Sequence, residues 1–370
     1  MIVVVKLGST LVADANGRVR RSLLTARAAE IGQLARGGER VCVVSSGAIA
    51  LGLPRLRLAR RPRSTPRLQA ASALGQVRLQ QAWDSALRAE RLEAAQILLS
   101  AADLAERSSY VNLRNVFEAL LRAGVVPVVN ENDATATDEI TFGDNDALAA
   151  QVAVLTRARL LVLLTEVDGV YTAHPAAPGA TPLPDGDAAA GALVGPGSAL
   201  GRGGMASKIA AARLAAAAGI PTVIASGRGP DVLGALVAGE RRGTRFAARP
   251  ATGASAFRLW LRYAKPAAGR IVVDEGARSA LLAHGRSLLA VGVVRCEGPF
   301  VPGDAVELVA QDGTVFAKGI ASAGAAELPD RPRGLEVVHR DRLVLLDPGT
   351  GASPGDAGVQ PAQARSLRAT

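Results

Sequence analysis

The sequence predicts an α/β fold. It is an open, mostly parallel sheet sandwiched by helices, followed by a small β-rich C-terminal domain. Three observations predict it. Short apolar runs alternate with helical segments through the first two-thirds of the chain. Gly and small polar residues follow the apolar runs, where the strands of such a sheet end. After about Arg245 helical periodicity fades, and short apolar runs alternate with Gly-containing turns.

Ile2–Leu7 reads as a buried strand that turns at Gly8-Ser9-Thr10. Ser22–Arg36 has helical periodicity and stops at Gly37-Gly38. Val41–Val44 is a strand leading into Ser45-Ser46-Gly47, and Leu68–Glu90 is a long helix. Ala94–Leu99 is a strand, and Ser108–Ala123 a helix that ends at Gly124. Val125–Val129 is a strand followed by the polar run Asn130–Asp133, with a hairpin expected over 134–142. Ala147–Thr156 and Met205–Ala218 are helices, while Leu160–Leu164 and Thr222–Ala225 are strands. Between them, Arg55–Arg67 reads as a solvated basic loop, with an anion-attracting rim or a subunit contact as the alternative.

This divides the 370 residues into a first domain over 1–246, a linker over 247–264, a β-rich domain over 265–346 and a disordered tail over 347–370. Hydrophobic residues make up 49%, enough for a large core, but aromatics only 3%, so Ala, Val and Leu must fill it. The net charge of +10 permits anionic partners without choosing among them. Cys42 and Cys296 are too few and too far apart for a disulfide framework or a metal cluster. The apolar start lacks a basic leader, and no run reaches the ~20 residues of a membrane span. A cytoplasmic location with no membrane partner is the expectation.

Only four basic residues are Lys (Lys6, Lys208, Lys265 and Lys318); the other 39 of 43 are Arg. Two of the four fall where an anion would bind. Lys6 ends the first strand, and Lys208 lies in the first turn of the helix after Gly201-Arg202-Gly203-Gly204. Free N–H groups and the helix dipole make that start a natural anion site. A compact ammonium suits a crowded phosphate better than a broad guanidinium. The spacing is not that of a P-loop. Asp144, Asn145 and Asp146 open another helix, although capping needs only one of them. With Asp133 they are candidates to bind an ammonium group or to orient the lysines. Mg²⁺ is expected on nucleotide phosphates rather than on protein ligands. His174, His284 and His339 are scattered without triad spacing, and Trp83 and Trp260 are read as packing residues.

The segments VVKLGST, SSGAIALG, VVPVVNENDATAT, FGDNDALAAQVA, LLTEVDGVYT and GRGGMASK, in this order, resemble the amino acid kinase family, and in particular its glutamate 5-kinase branch. The resemblance covers roughly residues 1–245. NEND followed by GDND carries most of its specificity. Downstream, IVVDEGARSALLAHGRSLLAVGV and GPFVPGDAV resemble a PUA domain. The resemblance implies an amino acid kinase fold and ATP-dependent phosphorylation of the L-glutamate side chain to γ-glutamyl phosphate, the first step of proline biosynthesis. It implies that Lys6 and Lys208 contact the transferring phosphoryl group and that Asp146 organises both. It places Ser46, Asp133 and Asn145 on glutamate. It places Thr165, Glu166, Arg202, Gly203, Gly204, Met205, Ala206, Ser207 and Lys208, with Lys6, on ATP. Two positions depart from the family pattern: Glu166 stands where Asp is usual in LLTD, and His174 where Asp is usual in TADP. The resemblance further implies a homo-oligomer inhibited by proline, with γ-glutamyl phosphate reductase as a candidate partner. Alternatives are a related kinase for another small carboxylate, an inactive homologue, or an RNA-binding protein that uses the PUA-like region; RNA is not favoured, because an RNA binder has no need of the GRGGMASK and GDND segments.

Overall fold

The computed structural model describes residues 1–58, 60–100, 103–104, 107–135, 145–186, 204–249, 256–263, 265, 267–328 and 334–346. The chain divides into two compact units, Met1–Lys265 and Pro266–Thr370.

The first unit is built on a seven-stranded sheet. Its strands in chain order are β1 (Ile2–Leu7), β2 (Arg40–Ser45), β3 (Ala94–Leu99), β4 (Val126–Glu131), β5 (Leu160–Thr165), β8 (Thr222–Ser226) and β9 (Thr244–Phe246). A small hairpin, β6 (Val170–Tyr171) with β7 (Pro182–Leu183), lies between β5 and β8 in sequence. The spatial order is β3-β4-β2-β1-β5-β8-β9. Six strands run parallel and β9 returns antiparallel at one edge. The order reverses direction across β1, and such a reversal opens a crevice at the carboxyl ends of the strands.

Helices cover both faces. They are α1 (Ser9–Val12), α2 (Arg21–Arg36), α3 (Ala48–Gly52), α4 (Thr65–Ala89), α5 (Arg107–Arg122), α6 (Asn145–Thr156), α7 (Met205–Ala217), α8 (Val232–Val237) and α9 (Ala256–Tyr263). Because successive strand residues face opposite sides, each strand feeds two cores. Val3, Val5 and Leu7 of β1 pack with α2 and α4, while Val4 packs with α6 and α7. β1 and β5 sit in the middle of the sheet and are apolar nearly throughout, as a strand covered on both faces must be. Lys6 is the exception, and it belongs to the site.

Helix α4 begins with Pro66 in its first turn and buries Leu68, Ala71, Ser72, Gly75, Gln76, Leu79 and Trp83, one face at helical spacing. Gly75 is there because α4 crosses α3 closely: a Cβ on it would lie 1.7 Å from the carbonyl oxygen of Ala48. Helix α6 is buried almost all round, from Asn145 to Leu155, and forms the layer between β1 and α7.

Several details differ from the sequence reading. Strand β4 runs on through Asn130 and Glu131, so half of the polar run is part of the sheet. The stretch taken for a linker over 247–264 contains α9, which packs on α6 and α7 in the first unit. Sequence periodicity missed α9 because only eight residues carry it. The expected hairpin over 134–142 lies largely outside the described residues, as does the expected tail.

The second unit is a six-stranded sheet of β10 (Gly269–Val273), β11 (Leu288–Leu289), β12 (Val293–Glu297), β13 (Ala305–Val309), β14 (Val315–Ala321) and β15 (Glu336–Leu345), in the order β11-β15-β14-β13-β10-β12. It also carries a helix the sequence reading lacked, α10 (Glu275–His284), whose start is capped by Asp274 accepting from the Ala277 N–H at 2.7 Å. Phe300, Leu281, Ile271, Leu308 and Val338 centre its core.

Candidate active site

The predicted site residues that the structure describes lie at the carboxyl ends of β1, β2, β4 and β5 and at the starts of α6 and α7. Backbone bonds lace these ends together. The Ser46 N–H donates to the Leu7 carbonyl at 3.1 Å, and the Gly227 N–H to the Thr165 carbonyl at 2.7 Å. Gly47 turns the chain after β2 at φ +113, where a side chain would be strained and would also meet Val12 at 2.9 Å.

At the centre is one carboxylate between two ammonium groups. Lys6 Nζ lies 2.6 Å from Asp146 Oδ1, and Lys208 Nζ donates to Asp146 Oδ2 at 3.1 Å. The Ser207 hydroxyl donates to the same Oδ2 at 3.0 Å. All three charged side chains are buried, with Lys6 at 3%, Asp146 at 1% and Lys208 at 5% exposure. Burial opposes the Asp146 charge, but Lys208 and Lys6 outweigh it and hold the carboxyl well below the usual carboxylate range. The start of α6 adds its own favourable field to an anion there. Asp146 therefore stays ionised and cannot serve as a base near neutral pH. The three groups sum to one positive charge in a water-poor cleft, which suits a phosphate.

A second cluster lies beside α4. The Ser72 hydroxyl donates to Asp133 Oδ2 at 2.5 Å, and Asn130 Nδ2 donates to Gln76 Oε1 at 2.7 Å. Asn145 Oδ1 accepts from the Glu131 N–H at 3.3 Å, joining this cluster to the start of α6. Three buried atoms here have no hydrogen-bond partner among the described residues: Asp133 Oδ1, Asn130 Oδ1 and Gln76 Nε2. Buried polar atoms are rarely left so, and two acceptors with one donor fit a zwitterionic ligand. Burial pushes the Asp133 carboxyl up, and the Ser72 hydrogen bond and the charge of Arg61 offset this only in part. Arg61 belongs to the basic loop read as solvated surface, so that loop reaches the rim of the site. Sequence reasoning missed Ser72 and Gln76. Their signal was two polar residues four apart on the apolar face of α4. Trp83, also buried, donates its indole N–H to Ser45 Oγ at 2.9 Å and fixes the loop after β2.

On the other side of Lys6 lie Thr165 and Glu166, with Met205, Ala206 and Ser207 at the start of α7 after Gly204. Glu166 is paired with Arg228, and both are exposed. His174 Nδ1 accepts from the Ala176 N–H at 3.3 Å, the turn-forming bond an Asp would make there. Arg202 and Gly203 lie outside the described residues. The structure thus brings Lys6, Asp146, Lys208 and Ser207 into contact and joins Asn145 to the cluster of Asp133. It places Glu166 toward Arg228.

Among the described residues no group of three or more His, Cys, Asp or Glu side chains is placed to hold a metal ion. No helix among them is long and apolar enough to cross a membrane.

Residues 1–226 match the amino acid kinase family, and residues 269–341 match the PUA domain. The glutamate 5-kinase of Sphingopyxis alaskensis is 46% identical over 364 residues, covering 93% of this chain and 97% of that relative. The glutamate 5-kinase of Burkholderia multivorans is 43% identical over 362 residues with the same coverage. The chain belongs to the amino acid kinase family, among the glutamate 5-kinases. A crystal structure of an isopentenyl phosphate kinase is also similar, at 23% identity and a TM-score of 0.48, covering 67% of this chain and 100% of that one. The family assignment rests on the sequence matches. In an amino acid kinase the phosphoryl donor is ATP, and the crevice described above lies at the topological switch point where such a fold binds its ligands.

Proposed function

We propose that this protein transfers the γ-phosphoryl group of ATP to the side-chain carboxylate of L-glutamate, giving γ-glutamyl phosphate and ADP, the first step of proline biosynthesis. The observation that carries this reading is the buried Lys6–Asp146–Lys208 arrangement. A glutamate side chain, with a pKa of about 4.3, is already ionised at neutral pH, so no general base is required. The barrier is repulsion between that carboxylate and the γ-phosphate. Lys6 and Lys208, each anchored on a different oxygen of Asp146, are fixed before substrate arrives. They supply positive charge where negative charge accumulates in the transition state, without reorganising. Asp146 positions them.

Ser46, Asp133 and Asn145 hold glutamate, with the unpartnered Asp133 Oδ1 facing its α-ammonium group. Thr165, Glu166, Gly204, Met205, Ala206 and Ser207 line the nucleotide side; the family resemblance adds Arg202 and Gly203, which lie outside the described residues. The side chains here suit Mg²⁺ that arrives on the nucleotide rather than in a protein cage, because Asp146 is already engaged by two lysines. Bound in that way, Mg²⁺ would neutralise charge on the nucleotide phosphates while Lys6 and Lys208 hold the transferring group.

Trapping with hydroxylamine tests the reading. With ATP, Mg²⁺ and L-glutamate, γ-glutamyl hydroxamate should accumulate. Turnover of acetylglutamate or aspartate with none of glutamate would overturn the substrate assignment and spare the fold. The same family membership supports three further proposals: a cytoplasmic location, a homo-oligomer, and delivery of the labile acyl phosphate to γ-glutamyl phosphate reductase.

A further inference from the structure

The end of the first unit's sheet opposite the active site holds a second concave surface. A cavity of about 310 Å³ lies there, between the starts of β1 and β2, helix α5 and the end of α6. Arg40, Arg114 and Arg157 line it together with one carboxylate, Glu118, and Phe117, Leu121 and Leu155 form an apolar floor. Among the described residues none of the three arginines is in an ion pair. The nearby carboxylates are already taken: Glu118 by Arg122, and Glu39 by Arg159 at 2.7 Å and the amino terminus at 3.2 Å. Arg114 and Arg157 are close enough for both charges to act on the phenol of Tyr110, one turn before Arg114 on α5.

Three guanidinium groups around one small concave surface concentrate positive potential there and attract an anion. Guanidinium forks bind phosphate oxygens in pairs, and the apolar floor suits the uncharged body of a ligand. The volume is at the lower end of small-molecule pockets, roughly 300–1,000 Å³. We propose that this cavity binds a phosphorylated small molecule of about nucleotide size. Helix α6 separates it from the phosphoryl-transfer site: Asp146 is at the first turn of α6 and Thr156 at the last, about 15 Å apart at 1.5 Å per residue. An occupant therefore leaves the glutamate and ATP sites open while touching the far ends of β1 and α6, the two elements that carry Lys6 and Asp146.

Calorimetric titration of the full-length protein with inorganic tripolyphosphate, at fixed ionic strength near 0.15 M, tests this. The double variant R114Q/R157Q should weaken binding at this site at least about tenfold, as expected for the loss of two charge-assisted contacts. K208A, which alters the active site, should leave it unchanged, as should R55Q/R60Q in the surface loop. All these arginines are exposed, so folding is not at risk. Binding that survives R114Q/R157Q, that disappears in K208A, or that falls equally in R55Q/R60Q would overturn the proposal, and so would an absence of binding to the unmodified protein.

Discussion

Ser72 donates its hydroxyl to one oxygen of Asp133 at 2.5 Å, and the other oxygen of that carboxylate is buried without a partner. The pair sits at the junction of α4 and the end of β4, where the proposed substrate enters. It is a charge prepared for a ligand rather than one satisfied by the fold.

Asp133→Asn should therefore separate binding from stability. The glutamate KM should rise at least about tenfold, as for a lost charged contact, while kcat changes less. Burial raises the folded pKa of Asp133 above its ordinary value of 3.8. Ionising it costs the folded state stability, and the cost appears as pH rises past that value. Melting curves from pH 4 to pH 8 should show the variant gaining on the unmodified protein as pH rises. An unchanged KM would remove Asp133 from the glutamate site.

Lys208→Arg keeps the charge and changes its shape. A planar guanidinium cannot occupy the same point on Asp146 Oδ2 while facing a phosphoryl oxygen. The expected result is a roughly 100-fold fall in kcat, the scale of losing one transition-state donor. Circular dichroism and the melting temperature should remain near those of the unmodified protein. Unimpaired turnover would show that any cation suffices there.

Asp146→Asn leaves two buried ammonium groups without their shared counter-charge. Breaking such a pair costs about 3 kcal/mol, measurable by urea denaturation at neutral pH, and kcat should fall with it. The two lysines hold the folded pKa of Asp146 below its ordinary 3.8. Its stabilisation is complete above that value and is lost as pH falls below it. The difference between protein and variant should therefore shrink in acid.

Glu166→Asp and His174→Asp restore the usual family residues, and neither should matter much. Glu166 is 39% exposed and its partner Arg228 57%. An exposed pair carries at most about 1 kcal/mol, so the KM for ATP should change less than about fivefold. His174 already makes the turn bond an Asp would make. A large gain in kcat from either variant would show an impaired natural site.

The parallel core strands and their helices were legible because burial on both faces writes itself as apolar runs, and amphipathic helices repeat at 3.6 residues. Lys6 and Lys208 stood out for a compositional reason, as rare lysines in an Arg-rich chain. The helix Ala256–Tyr263 and the antiparallel edge strand Thr244–Phe246 were not legible. Both are short, and each is stabilised by neighbours far away in sequence.

By itself the sequence determined the fold class, the order of the strands along the chain and the presence of lysines at two strand and helix ends, because local periodicity and capping depend on neighbours in sequence. The family resemblance implied that Asp146 organises both lysines; only the tertiary structure decided the geometry, in which each ammonium meets a different oxygen of that buried carboxylate, 140 and 62 residues away along the chain. It alone placed Ser72 and Gln76 against Asp133 and Asn130, and brought Arg40, Arg114 and Arg157 around one cavity. These relationships depend on charge and burial across distant segments, and no local pattern records them.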